Sequence, residues 1–200
     1  MLLSAASMNL AERLRASLAL ASRDGLFIGD LAEGAPDAGS KAAVLIAVTD
    51  RTEPGVILTV RREHMRTHAG QVSFPGGRLD PGEDAIAAAL REAEEEIGLP
   101  PGQVELWGTA DPYRTVTGYA VTPVVGLVPP DLPLAPHEHE VADWFEAPLS
   151  FLLEPANQRR MSAEFQGRVR HYYQINWQGR RIWGATAAML VNLSRRLEWI

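Results

Sequence analysis

The chain has 200 residues, no cysteine and a single lysine, Lys41. The first absence excludes disulfides, thiolate metal sites and thiol nucleophiles. The second leaves arginine to carry nearly all the positive charge. This suits fork-like contacts to phosphate or carboxylate and is equally explained by codon bias. Excess positive charge is missing too. Against 19 basic residues stand 25 acidic ones, giving a net charge of −6 and a pI near 5.4. That balance argues against a general binder of nucleic acid or of membrane surfaces. No apolar run is long enough to span a bilayer. The opening MLLSAASMNLAERLRASLAL lacks a basic leader region and is interrupted by Glu12, Arg13 and Arg15, so it does not read as a secretory signal. The cytoplasm is the default location, and Met8 offers an alternative start. Internal repeats and low-complexity segments are absent as well.

The length suits one domain with a sizeable core. Residues 1–40 are expected to form a helix and a loop packed on that domain, and 41–200 the domain itself. Leu10, Leu14 and Leu18 predict an amphipathic helix from Asn9 to Leu20. Ser22–Ser40 is rich in Gly, Asp, Ala and Pro and reads as a loop. The β-branched runs KAAVLIAVTD and VILTVRR, joined by Arg51–Gly55, predict a hairpin. After Pro100-Pro101-Gly102, VELWGTADPYRT and Tyr119–Val128 read as strands, with Pro123 implying a sheet edge or an irregularity. PPDLPLAPHEHE is a proline-rich loop, VADWFEAP a strand and PLSFLLEP a short helix. Arg168–Ile175 and Arg180–Trp183 predict a last hairpin. A final helix over Thr186–Glu198, capped by Thr186, is expected to bury Met189, Leu190, Leu193 and Leu197. Strands and helices mix without strict alternation, which predicts an α/β fold with a mixed sheet between helices.

The most informative stretch is Phe74–Leu99, FPGGRLDPGEDAIAAALREAEEEIGL. Asp84 can cap a helix that Gly98 ends. At 100° per residue, Ile86, Ala89, Leu90, Ala93 and Ile97 fall on one side. Glu92, Glu95 and Glu96 share another stripe, and Glu94 points elsewhere. Glu92 and Glu96 form a like-charge i,i+4 pair near the negative end of the helix dipole, and a divalent cation between them would reverse both penalties. Hard carboxylate ligands with no nearby Cys or His suit Mg²⁺ or Mn²⁺. Gly76-Gly77 allows a tight turn with uncovered carbonyls, and Arg91 lies four residues before Glu95, within reach of its carboxylate.

The spacing from Gly77 through Glu83 to Arg91-Glu92-Ala93-Glu94-Glu95-Glu96-Ile97-Gly98-Leu99 resembles, at every fixed position, the Nudix box of pyrophosphate hydrolases. The resemblance implies an α/β/α sandwich. It also implies one or more Mg²⁺ or Mn²⁺ ions on Glu92, Glu95 and Glu96, with the Gly76 carbonyl as a further ligand. Glu92 or Glu96 would serve as base, Glu83 would bind a second metal or orient its neighbours, and Arg91 completes the catalytic group. A later loop supplies the base in some Nudix enzymes, and Glu138 and Glu140 lie in a suitable place for it, although a solvated loop explains them as well.

Just upstream, ILTVRREHMRTHAGQVSFPGG is similar to the second signature of the coenzyme A pyrophosphatases in that superfamily. Ile57, Leu58, Thr59, Arg61, Arg66, Gly70 and Phe74–Gly77 match it, while Arg62 stands where serine or alanine is usual. RIWGATAAML also looks like the family's ending, so the resemblance runs from about Lys41 onward. It implies a small-molecule substrate, CoA or a derivative, cut to 3′,5′-ADP and 4′-phosphopantetheine by a monomer or homodimer. Arg61, Arg62, His64, Arg66 and His68 make a locally basic patch suited to phosphates. Arg61, Arg66, Arg62 and Gly77 are the expected substrate contacts, with the histidines weaker candidates. Other dinucleotides, such as NADH, ADP-ribose or a nucleotide sugar, are the nearest alternative. A non-catalytic Nudix-fold sensor is the alternative of another class.

Overall fold

The computed structural model describes residues 8–20, 26–27, 29, 39–62, 70–165 and 168–198. Among the described residues, eleven strands and four α-helices follow one another. β1 (Ser40–Thr49) is the axis of the main sheet, because its side chains alternate between two separate cores. Ala43, Leu45 and Ala47 face α2 (Ala85–Ile97). Ile46 and Val48 face the opposite layer, built from α1 (Leu10–Leu18), α3 (Leu149–Leu153) and α4 (Ala185–Arg196). A sheet buried on both faces between helices is the α/β/α arrangement expected from the sequence.

The sheet is mixed. β1 runs parallel to β7 (Tyr119–Val128) over ten residue pairs, while β2 (Gly55–Arg61) is antiparallel to β1 and to β8 (Val141–Pro148). β3 (Val72–Ser73) extends the β2 edge, and β5 (Glu105–Thr109) and β6 (Tyr113–Arg114) both pair with β7. A smaller sheet of β9 (Arg159–Phe165), β10 (Arg168–Trp177) and β11 (Arg180–Trp183) adds a strand to the hairpin that the sequence predicts.

Two expectations are sharpened and one is corrected. The β1–β2 hairpin pairs only at Val48 with Val56, beside its turn. Beyond that point the two strands part, and the chain from Phe74 to Arg78 enters between them. Leu45 N–H donates to Pro75 O (2.8 Å), and β4 (Gly76–Arg78) pairs with Ala42–Val44. Pro123 lies on no edge, since β7 is flanked by β1 and β5. It sits where β5, paired as far as Val124, hands over to β6, paired from Val121. Its carbonyl still accepts from Ala110 N–H (2.8 Å), so the missing N–H faces the gap where the neighbouring chain swings away. Finally, α4 starts at Ala185 behind Gly184. Thr186 lies inside it, buried, with its hydroxyl donating to Val72 O (3.2 Å).

The ends of the described chain meet at α4. Buried Arg196 donates to the Ser17 carbonyl (2.9 Å) and pairs with Asp111 (2.8 Å), and Arg13 reaches the Leu197 carbonyl. The Asn192 amide clasps both backbone groups of Phe27, at 2.8 Å each. The loop at 129–140 is tied as firmly. Ala135 N–H and His137 N–H donate to the carbonyls of Ile97 and Glu96 (2.9 and 2.8 Å), satisfying the open C-terminus of α2. Among the described residues, no helix is long and apolar enough to cross a membrane.

Candidate active site

Asp84 accepts a hydrogen bond from Ala87 N–H (2.8 Å), and the helix it begins ends at Gly98 in the left-handed conformation. Ala88, Ala89 and Ala93 are fully buried, and their small side chains let α2 lie close on the sheet. Ile86 and Leu90, expected beside them, are only half-buried at the margin. The rotation of the helix then decides the fate of each glutamate. Glu96 is only 3 % exposed, Glu92 17 % and Glu95 59 %.

The glycine pair explains how two carboxylates fit under the sheet edge. A Cβ on Gly76 would strike the β1 backbone at Ala43 and Val44, and one on Gly77 would occupy the place of the Glu92 carboxylate. Gly76 N–H also donates to Glu96 Oε2 (3.1 Å). The tight turn foreseen at these glycines is thus a strand segment, β4, that leaves room for side chains from α2.

Arg91 holds the outer carboxylates. Its guanidinium meets Glu83 through Nε and Nη2 (3.0 and 2.9 Å), and its Nη1 meets both Glu92 Oε1 and Glu95 Oε2 at 3.0 Å. Nη2 also donates to the Arg78 carbonyl (3.0 Å). Helical spacing pointed to the Glu95 contact alone. Glu83 lies before the helix, where no periodicity could place it. Asp80 N–H braces it from the other side, donating to its Oε2 (2.9 Å).

These surroundings push the carboxyls in opposite directions. Hydrogen bonding to Arg91 holds Glu83 below the usual carboxylate range. Burial raises Glu92 despite Arg91, and it raises Glu96 to about 7 against the opposing Gly76 N–H and Arg61. Glu140 adds a like charge to both sites, so the proline-rich loop contributes to the same field. Glu140 itself is exposed, and its carbonyl accepts from Arg62 N–H (3.0 Å). Glu138 is an exposed neighbour on that loop.

The upstream arginines divide. Arg61, at the end of β2, points its guanidinium at Glu96 (3.4 Å) and is only 20 % exposed. The substrate contact expected from the sequence is therefore also the counterion of the most buried glutamate, a link no linear spacing reveals. Arg62 follows β2 half-buried, while His64, Arg66 and His68 lie outside the described residues.

Among the described residues, no three acidic or histidine side chains are already gathered as a metal-ligand set. Glu95 shares Arg91 Nη1 with Glu92, while Glu96 of the same stripe turns inward to Gly76 N–H and Arg61. Glu92 and Glu96 nonetheless fit a hard dication in their donor chemistry. Both offer carboxylate oxygens, both are penalised by burial, and the charge of Glu92 raises Glu96 further.

A family model described as the NUDIX domain matches residues 39–171. "Uncharacterized Nudix hydrolase NudL" of Escherichia coli (strain K12 / DH10B) is 45 % identical over 159 residues, covering 78 % of this chain and 82 % of its own length. Similar solved structures include a C. elegans Ap4A hydrolase binary complex, with 22 % identity over 54 % of this chain and 80 % of that one, at a TM-score of 0.48. A MutT/nudix family protein from Enterococcus faecalis is 16 % identical over 82 % of this chain and 62 % of that one, at a TM-score of 0.47. With the glutamate helix, its glycine strand and the domain match falling on the same stretch of chain, this protein belongs to the Nudix hydrolase family.

Proposed function

We propose that the chain is a divalent-metal-dependent pyrophosphohydrolase of coenzyme A or its derivatives. The observation that carries this reading is the Arg61–Glu96 contact (3.4 Å), through which the arginine signature upstream and the Nudix helix form one site. Nudix hydrolases generally use Mg²⁺ or Mn²⁺. Here Glu92 and Glu96 would hold the ion, joined by Glu95 once it leaves Arg91 and by the Gly76 carbonyl. When bound, such an ion neutralises charge on the pyrophosphate and acidifies a bound water.

The chain's own groups supply the rest. Arg61 and Arg66 grip phosphate oxygens as forks, with Arg62 adding charge at the entrance. Arg91 positions Glu92 and Glu95 while it is itself fixed by Glu83. Water oxygen bonds to one phosphorus, the bond from that phosphorus to the bridging oxygen breaks, and a carboxylate takes the water proton. Glu92, Glu96 and Glu140 are the candidates for that last role. The products of CoA are 3′,5′-ADP and 4′-phosphopantetheine. We assign the reaction to the cytoplasm.

The test is a substrate panel with Mg²⁺ and with Mn²⁺, in which products are weighed by mass spectrometry. CoA or an acyl-CoA is expected to surpass NADH, ADP-ribose and nucleotide sugars in kcat/KM. Preference for one of those others would remove the CoA assignment, and tight CoA binding without cleavage would make the protein a sensor. Gly77→Ala gives an independent check on the geometry. Because the added methyl displaces the Glu92 carboxylate, kcat is expected to fall about 10- to 100-fold with the protein still folded. Unchanged turnover would show that the position of Glu92 is not critical.

A further inference from the structure

β2 and β3 on one side and the β10–β11 hairpin on the other enclose a groove of about 430 Å³. Val60, Val72 and the Trp183 ring give it apolar walls, and Gln71, Arg180 and Arg181 give it polar ones. It lies at the Arg61 end of β2 on the face of the sheet opposite the glutamates, because Val60 and Val72 pack with the core under α4 while the next residue, Arg61, turns to Glu96. Arg61 N–H donates to the Gln71 carbonyl (2.9 Å), so one side of the groove is paired with the arginine that meets Glu96.

The two arginines differ in their charge balance. Arg180 pairs with Asp143 (2.8 Å) and lies over the Phe145 ring, so its charge is answered within the protein. Arg181 has no carboxylate within ion-pair distance among the described residues. Its contacts are neutral: Nε donates to Gln174 Oε1 (2.7 Å), Nη2 to the Tyr172 hydroxyl (3.1 Å), and Cζ lies 4.7 Å from the centroid of the Trp183 ring. Immobilising an exposed arginine costs side-chain entropy, and this one is immobilised without gaining a counter-charge. In an acidic protein such a fixed, unanswered guanidinium beside an aromatic wall suits a molecule that carries both an anion and a flat ring.

We infer that this groove binds the phosphorylated nucleoside end of the substrate, with Arg181 contacting its phosphomonoester and Val60, Val72 and Trp183 packing against the nucleoside. The inference rests on the reading of the chain as a hydrolase of a substrate that carries a phosphate outside its pyrophosphate.

Calorimetric titration of the full chain without divalent ion, using 3′,5′-ADP, adenosine and inorganic phosphate as probes, tests it. 3′,5′-ADP is expected to bind more tightly than either fragment. Arg181→Gln is expected to weaken it about tenfold or more, Arg181→Lys less so, and neither to change adenosine binding. Equal affinity of wild type and Arg181→Gln for 3′,5′-ADP overturns the inference, as does the absence of binding by any probe. Inorganic phosphate binding as tightly as 3′,5′-ADP overturns the nucleoside assignment. An unchanged melting temperature in Arg181→Gln shows that the loss is local. CoA turnover separates the two readings. CoA hydrolysis with the same KM in wild type and Arg181→Gln overturns the groove and leaves the activity. Arg181-dependent binding in a chain that does not cleave CoA overturns the activity and leaves the groove.

Discussion

Glu96→Gln is expected to lower kcat by about 10²- to 10³-fold or more while leaving the fold at least as stable as the wild type. The two outcomes have one cause. At 3 % exposure the Glu96 carboxylate is held at an energetic cost that only an attracted charge offsets, and burial is the main influence on it. Glutamine keeps an oxygen for Gly76 N–H, which now donates to Glu96 Oε2 at 3.1 Å, and it removes the charge that meets Arg61. A neutral amide in that position relieves the desolvation and forfeits the chemistry. Steady-state kinetics and scanning calorimetry on the same preparation read both. Near-normal turnover would remove Glu96 from the reaction. A melting temperature that collapses with the activity would make it a structural residue instead.

Arg91→Ala should damage both properties, losing about 10- to 100-fold in kcat and several degrees in melting temperature. A single guanidinium here joins Glu83, Glu92, Glu95 and the Arg78 carbonyl. Its removal leaves neighbouring carboxylates facing one another across a half-buried gap. Arg91→Lys distinguishes charge from shape. A lysine ammonium restores part of the melting temperature but cannot reproduce the fork that touches several partners at once, so kcat should stay low. Recovery of full turnover by lysine would show that charge alone suffices. The same measurement in added Mg²⁺ shows whether cation binding restores the lost stability.

Much of this layout was legible in the chain. The bounds of the glutamate helix follow from Asp84 and Gly98, and the buried positions of α4 follow from helical spacing, because those signals are local. What escaped depends on contacts distant in sequence. The two strands around Arg51–Gly55 do read as a hairpin, yet nothing in them tells that Phe74–Arg78 will enter between them. Pro123 signals an irregularity correctly, but only the handover from β5 to β6 shows that it belongs to the neighbouring chain. The like-charge pair of Glu92 and Glu96 was visible as a spacing. Desolvation is the larger influence on both, and it depends on how deeply the alanine face seats the helix. Arg61 illustrates the same limit: its place on a strand was readable, its orientation toward a helix 35 positions away was not.

The anchoring of α1 has a consequence for the order in which the protein is assembled. Its holds on the body of the molecule include Arg196 to Ser17 and Arg13 to Leu197, contacts that span 179 and 184 positions. During synthesis the first helix therefore emerges long before the residues that receive it. Leu14 and Leu18 must wait, exposed, while the central sheet forms on more local pairings. Closure of the N-terminal segment onto α4 is then a late step. It covers the sheet face opposite the glutamates with contacts that only the last helix of the described chain can supply.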